Sequence, residues 1–277
     1  MKIYSLQDFI KYLENNGELL RVKTEVDSKL EAGEISIRAL KAGMPAILFE
    51  NVKGAKYPLA MNVLASDKRI ELALGKHPDQ LGEELITFME EAMPPKPQVL
   101  FKYPGMIKRL YSTLPKKTSN PLSQENVISR PNLNELPVIT SWPEDGGPFI
   151  TLPQVFTYDP HTGKRNLGMY RMQVFDGNTT GMHWQIQKGG GVHYFQAKKI
   201  GKEFEVAVAL GTDPALLLAA VAALPEGIDE VMFSGFLRGK RTRMARGKSI
   251  STLVPANAEF VLEGTVDLTE LRMEGPF

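Results

Sequence analysis

The chain has 277 residues, with 33 Lys and Arg against 32 Asp and Glu and a formal net charge of +1, so no whole-molecule field draws it to nucleic acid or to a charged membrane surface. It contains no cysteine, which excludes a disulfide framework, thiolate metal sites and cysteine nucleophiles and agrees with a cytoplasmic setting. The length suffices for one large or two ordinary domains, each able to bury a core.

Residues 1–22 place charged side chains where a secretory signal needs an apolar stretch. "SLQDFIKYLENNGEL" predicts a helix, with Ser5 as N-cap, Leu6, Phe9, Ile10 and Leu13 at helical spacing and Gly17 as the stop. "AGEISIRALKAG" reads the same way, "PAILFENV" reads as a buried strand, and "DKRIELALGK" and "PDQLGEELITFMEEAM" read as two more helices. Together they describe an N-terminal α/β domain, assigned to residues 1–115. The Pro- and Lys-rich stretch from Pro94 to Pro121 lacks periodicity and is read as the junction.

Beyond it the signals change to short strands: "LPVITSW", "PQVFTYD", "YRMQVFD", "GMHWQIQ", "FEVAVALG" and "AEFVLEGTVD", rich in Val, Phe, Tyr and Thr. Two helical insertions interrupt them. One is "GVHYFQAKKIG"; the other is "TDPALLLAAVAALPEG", with Asp213 as N-cap, Pro214 at the first helical position and Pro225 closing it. The apolar stretch in the second is about ten residues, short of the ~20 needed to cross a bilayer. The class is α+β, with residues 116–277 as a barrel or sandwich carrying inserted helices.

"DGN" at Asp176 to Asn178 is a hairpin turn signal. Alternation along the outgoing strand puts Met169, Arg171 and Gln173 on one face; along the returning strand it puts His183, Gln185 and Gln187 on one face. An ordinary sheet with its polar face in solvent has the same pattern. The run Gly189 to Gly191 favours close approach to the backbone, and it precedes a helix, whose free N–H groups suit a phosphate or carboxylate. Among Glu263, Glu270 and Glu274, two are of the type to pair as general acid and base, although scattered surface carboxylates are the plainer reading. The basic run "RGKRTRMARGK" at 238–248 reads as a solvated loop, with a phosphate or nucleic-acid contact as the alternative. Walker, G-x-G-x-x-G, H-E-x-x-H and G-x-S-x-G motifs are absent.

"NLGMYRMQVFD", "TTGMHWQ" and "KGG", then "PEGIDEVMFSGFLRG", "AEFVLEGTVD" and "EGPF", resemble in that order the UbiD family of carboxy-lyases; "GMHWQ" is similar to its phenolic- and aromatic-acid branch. The resemblance implies an N-terminal α/β domain, a split β-barrel flavin-binding domain with helical insertions, and a C-terminal domain that forms oligomers. It also implies reversible non-oxidative decarboxylation of an aromatic or α,β-unsaturated carboxylic acid on prenylated FMN, a cofactor supplied by a flavin prenyltransferase. Asn166 matches an Asn that ligates Mn²⁺ (or Mg²⁺), and Glu230 the carboxylate that completes the site; K⁺ is a further ion. The third ligand is a histidine in some members, assigned here to His183, with His193 as the alternative. Met169, Tyr170 and Arg171, then His183, Trp184 and Gln185, then Lys188 and Gly189, match residues that contact the cofactor. Arg171 and Glu274 match two members of an Arg-Glu-Glu catalytic set, in which Arg171 pairs with the substrate carboxylate and Glu274 delivers a proton, a task that calls for a raised pKa.

The family pattern runs on past "EGPF" with a glycine, another acidic residue and usually a histidine. The third catalytic carboxylate is therefore expected from sequence outside these residues, and the stretch as it stands is expected not to turn over alone. A different class of function also remains open: a flavin-binding or assembly subunit with no chemistry of its own. A homo-oligomer is expected for the complete protein, with no nucleic-acid partner and no membrane span.

Overall fold

The structure, a computed structural model, describes residues 3–92, 104–225 and 228–277. Ser5 opens α1 (Leu6–Asn15) as its position predicts: its hydroxyl accepts the Asp8 amide hydrogen, and the helix buries Phe9, Ile10 and Leu13. β1 (Leu19–Val22) follows and pairs in parallel with β2 (Ala46–Phe49), with α2 (Glu31–Lys41) as the crossover. β3 (Leu59–Met61) adds antiparallel to β2, so the small sheet runs β1-β2-β3. α3 (Asp67–Leu74) and α4 (Pro78–Ala92) complete this half. All four predicted helices and the strand form here. β1 and β3 are four and three residues long, too short for alternation to announce them.

Part of the stretch read as a junction is built. α5 (Pro104–Ser112) leads to β4 (Lys116–Lys117); residues 94–103 lie outside the described residues.

The other half centres on an antiparallel sheet. β6 (Gln154–Tyr158), β7 (Arg165–Met169), β9 (Phe204–Leu210) and β12 (Phe260–Val266) lie in the order β12-β9-β6-β7. Both faces are buried. Val206 and Val208 pack with Tyr170 and Tyr194, beneath α6 (Gly189–Ile200). Ala207 and Ala209 pack with Leu216 and Val231, from α7 (Pro214–Ala219) and α8 (Glu230–Arg238), and with Met244 and Val254, from β10 (Arg243–Arg246) and β11 (Leu253–Pro255). A strand buried on both sides loses its polar alternation, which explains the nearly continuous apolar run of "FEVAVAL". Helix insertions and short strands fit the α+β reading, but the sheets among the described residues are open, none closing on itself. No helix among those residues is long and apolar enough to cross a membrane.

Several predicted elements differ. "LPVITSW" yields only the bridges of Ile139 to Phe149 and of Thr140 to Lys29. "YRMQVFD" shrinks to β8 (Met172–Gln173), which pairs with β5 (Phe149–Ile150), and "GMHWQIQ" forms no strand. Its start does run beside β8, because Gly181 donates to the Gln173 carbonyl and His183 to the Arg171 carbonyl. Trp184 then leaves the ladder for an aromatic cluster, with ring centroids 5.6 Å from Tyr194 and 5.6 Å from Phe204. α7 ends at Ala219, well before Pro225.

The basic run 238–248 is only in part the solvated loop expected: Lys240, Arg243, Arg246 and Lys248 are exposed, but residues 243–246 form β10 and several of the guanidiniums are engaged. Arg238 is buried against Asp213, with Nη2 2.6 Å from each carboxylate oxygen. Arg241 donates to the carbonyls of Leu114 and Pro115, and Arg243 to Thr118 and the carbonyl of Asn120. These guanidiniums tie the α5–β4 segment to β10, so they are spent on the chain's own backbone.

Candidate active site

Asn166 is the second residue of β7, opposite Thr157 of β6. Its side-chain nitrogen donates to the Tyr170 hydroxyl at 3.2 Å, and that hydroxyl also accepts the Gly190 amide hydrogen at 3.0 Å. The start of α6 is thereby laid against β7. The contact is close enough that a Cβ at Gly189 would collide with the Asn166 amide oxygen, and one at Gly190 would crowd Trp184. This close packing is the physical reason for the glycine run. Lys188 caps α6 without a side-chain hydrogen bond, so of the first-turn N–H groups the Gly190 one is taken by Tyr170 and the Gly189 and Gly191 ones suit a ligand or solvent. Trp184 Nε1 is buried and, among the described residues, has no hydrogen-bond partner. Met169 ends β7, while Gln185 and Lys188 are exposed beside the start of α6.

Glu230 is the first residue of α8, and its carboxylate accepts the Leu167 amide hydrogen at 3.2 Å. β7 is a sheet edge, so that N–H points away from β6 and needs an outside acceptor. The acceptor stands one residue along β7 from Asn166. Burial, the largest influence, raises the Glu230 pKa above its ordinary 4.5, against the lowering pull of its hydrogen bonds. Asp229 performs two tasks that sequence reading missed. It caps α8 by accepting the Met232 amide hydrogen, and it grips Arg165 with both oxygens 2.6 Å from Nη2. The ion pair flanks the two matched residues: Arg165 precedes Asn166, and Asp229 precedes Glu230. The Asp-x-x-x-x-x-x-x-x-x-Gly frame from Asp229 to Gly239 was the available signal for this helix, its N-cap and left-handed C-cap.

The two histidines separate. His193, buried in α6, shares a 2.9 Å hydrogen bond with Thr157, placing it by Asn166's cross-strand neighbour. His183 lies instead 2.7 Å from Glu274. The amide oxygen of Asn166 and the carboxylate of Glu230 are the donor types that Mn²⁺ or Mg²⁺ takes. No three His, Cys, Asp and Glu side chains among the described residues converge as a metal group. The uncapped α6 N-terminus, Lys188 beside it and the orphaned Trp184 Nε1 fit a phosphate-bearing aromatic cofactor.

A second cluster forms where the last residues return to β8. The Arg171 guanidinium grips Glu274 with both arms, Nε to Oε1 at 3.0 Å and Nη2 to Oε2 at 3.2 Å. The rings of Phe277 and Phe149 lie 5.5 and 6.0 Å from its central carbon. Burial is the largest single influence on the Glu274 pKa and raises it, but the hydrogen bonds and charges of Arg171 and His183 together win, and the carboxyl sits below its ordinary 4.5. That departs from the raised value expected for a proton donor; the reason is that Glu274 itself occupies the Arg171 fork. The other two glutamates are elsewhere: Glu263 holds the Lys248 and Ser249 amides, and Glu270 pairs with exposed Arg272.

A UbiD family model, described as the 3-octaprenyl-4-hydroxybenzoate carboxy-lyase Rift-related domain, matches residues 115–277. The model of the corresponding N-terminal domain matches residues 10–89. A relative in Archaeoglobus fulgidus, described as an uncharacterized protein, is 47% identical over 279 residues, covering 100% of this chain and 57% of its own. The chain thus spans little more than half the length of that relative. Among solved structures, the fold is similar to vanillic acid decarboxylase of Sedimentibacter hydroxybenzoicus in closed form, with a TM-score of 0.83, 28% identity and coverage of 100% of this chain and 58% of that one. It is also similar to the UbiD-class enzyme HmfF of Pelotomaculum thermopropionicum in complex with FMN, with a TM-score of 0.79, 27% identity and coverage of 99% and 57%. An evolved dimeric HmfF in complex with prFMN gives 0.80 and 26%, covering 99% and 60%.

Proposed function

This chain belongs to the UbiD family of carboxy-lyases, and from that premise we propose that it supplies the cofactor- and substrate-binding part of a decarboxylase for an aromatic or α,β-unsaturated carboxylic acid. The similar HmfF structures hold FMN or prFMN, which supports prenylated FMN as the cofactor here. Asn166 and Glu230 are the residues that would hold its divalent ion, Mn²⁺ or Mg²⁺, with His193 better situated than His183 to assist. Tyr170, Trp184, Lys188 and Gly189 would hold the flavin and its phosphate. When bound, prenylated FMN supplies an electron sink for the bond that breaks. The open four-stranded sheet is taken as one portion of a split barrel over residues 116–277, with residues 1–115 as the N-terminal unit. The complete protein is taken as a cytoplasmic homo-oligomer that receives its cofactor from a flavin prenyltransferase.

The observation that carries the reading is the Arg171 fork closed on Glu274 beside His183. A planar guanidinium binds any carboxylate in this bidentate way. The substrate carboxylate would replace Glu274 on the fork and be held there until CO₂ leaves. Glu274, stripped of its main anion-stabilising partner but still largely buried, then has its pKa pushed up and takes a proton. It gives that proton to the carbon that lost CO₂, so one substrate carboxylate and one proton become CO₂ and a new C–H bond. His183 is in position to share the proton with Glu274.

The test uses the full-length protein produced together with a flavin prenyltransferase. CO₂ release and solvent-deuterium incorporation into product are expected from the wild type, and a loss of about 10²–10⁴-fold from Glu274→Gln and Arg171→Gln, both with flavin still bound. Wild-type turnover in both variants would overturn the reading.

A further inference from the structure

Gln173 lies two residues beyond Arg171, at the end of β8 and opposite Phe149 of β5. It is only 6% exposed, and it touches neither Arg171 nor Glu274 through its amide. Both ends of that amide are nevertheless used on the segment that carries Glu274. Its oxygen accepts the Gly275 amide hydrogen at 2.8 Å, and its nitrogen donates to the Gly146 carbonyl at 2.7 Å. Gly146 in turn donates its own amide hydrogen to the Pro276 carbonyl at 2.9 Å. These three bonds close a ring around the peptide units just past Glu274. Inside it the two backbones touch, because a Cβ on Gly146 would collide with Gly275 and one on Gly275 would collide with Gly146.

Residues 267–277 form no helix or strand, and Leu271 and Met273 are 79% and 93% exposed. A strand or helix would hold a catalytic side chain by its regular ladder. Here the clasp does so.

We propose that Gln173 is a positioning residue for Glu274: with Gly146 it locks the Gly275–Pro276 backbone so that the neighbouring carboxylate meets the Arg171 fork. This rests on the reading of Arg171 and Glu274 as the reacting pair. The choice of side chain follows from the chemistry. One donor and one acceptor are needed side by side at the end of a side chain long enough to reach both loops, and the glutamine amide presents both. Glutamate has the same shape but would set an oxygen against the Gly146 carbonyl, so Gln173→Glu keeps the volume and breaks one side of the ring. Gly146→Ala attacks the same ring from the other side and leaves Gln173 intact.

Full-length protein loaded with cofactor gives the steady-state parameters, and hydrogen exchange of the cofactor-free protein reads the Gly275 amide. Because Arg171 keeps its place, substrate binding should survive. For both variants we expect kcat to fall about 10–100-fold, as for a reacting group misplaced by about 1 Å. KM should stay within about threefold and bound flavin should be unchanged, while the Gly275 amide exchanges faster. Wild-type kcat in variants whose Gly275 amide exchanges fast would overturn the proposal, and so would a Gly275 amide that stays protected in both. If Glu274→Gln also turns over normally, the catalytic reading itself has failed. If Glu274→Gln is dead while the clasp variants are normal, only the role of Gln173 has.

Discussion

Glu274 is a carboxylate pulled two ways, upward by burial and downward by Arg171 and His183. Its folded pKa is lowered, so its contribution to stability is fully present above the ordinary value of 4.5 and is lost as pH falls through the lowered one. Arg171→Gln is therefore expected to flatten the decline of melting temperature between about pH 5 and 3, measured by thermal melts across that range. Glu230 has the opposite sign: its raised pKa means that the ionised form costs stability at neutral pH. Glu230→Gln is expected to raise the melting temperature of the metal-free protein in thermal melts at neutral pH, and to abolish retention of Mn²⁺ measured by metal analysis. At this scale the sequence was informative where chemistry is carried by side chains on one face. Alternation grouped Arg171 with Gln173, and both do reach the same returning segment, residues 274–277. Asp229 and Arg165 were illegible because an ion pair between residues 64 positions apart leaves no local signature.

Among elements, length decided what was legible. The helices α1 to α4 declared themselves by apolar spacing, and α1 also by its Ser5 cap; the Ser66 cap of α3, which accepts the Arg69 amide hydrogen, went unread. Strands of two to four residues such as β4, β8 and β10 have no room for a period, and the hairpin after Asp176 lost its returning strand because Trp184 gains more among Tyr170, Tyr194 and Phe204 than in a ladder. The start of α6 is held against β7 with no spare volume. Gly189→Ala is expected to destabilise the protein by about 1–3 kcal/mol through overpacking against Asn166, and to weaken flavin retention, checked by denaturant titration and by absorbance of the purified protein. On the opposite face of the sheet, Asp213 both caps α7 and holds buried Arg238 of α8. Asp213→Ala leaves that guanidinium without its carboxylate partner, a loss expected to be about 3–5 kcal/mol in the same titration.

At the scale of the whole molecule, a net charge of +1 leaves little long-range pull, and two guanidiniums of the richest basic run, Arg241 and Arg243, are engaged in holding Leu114, Pro115 and Thr118 to β10. Arg241→Ala is accordingly expected to lower the melting temperature while producing no change in fluorescence anisotropy with labelled DNA at any salt concentration. The two-sided burial of the central sheet also sets what can be rearranged, since α6 on one face and α7 and α8 on the other must move together with it. The Arg165–Asp229 pair shows what that rigidity does. It acts as a splint between the strand bearing Asn166 and the helix bearing Glu230, each charged partner being the immediate chain neighbour of one of those two residues. If Asn166 and Glu230 hold the divalent ion as proposed, their separation is settled during folding, before the ion arrives. On that reading a jaw set in advance would select its ion by radius, having little freedom to widen for a large one or tighten on a small one.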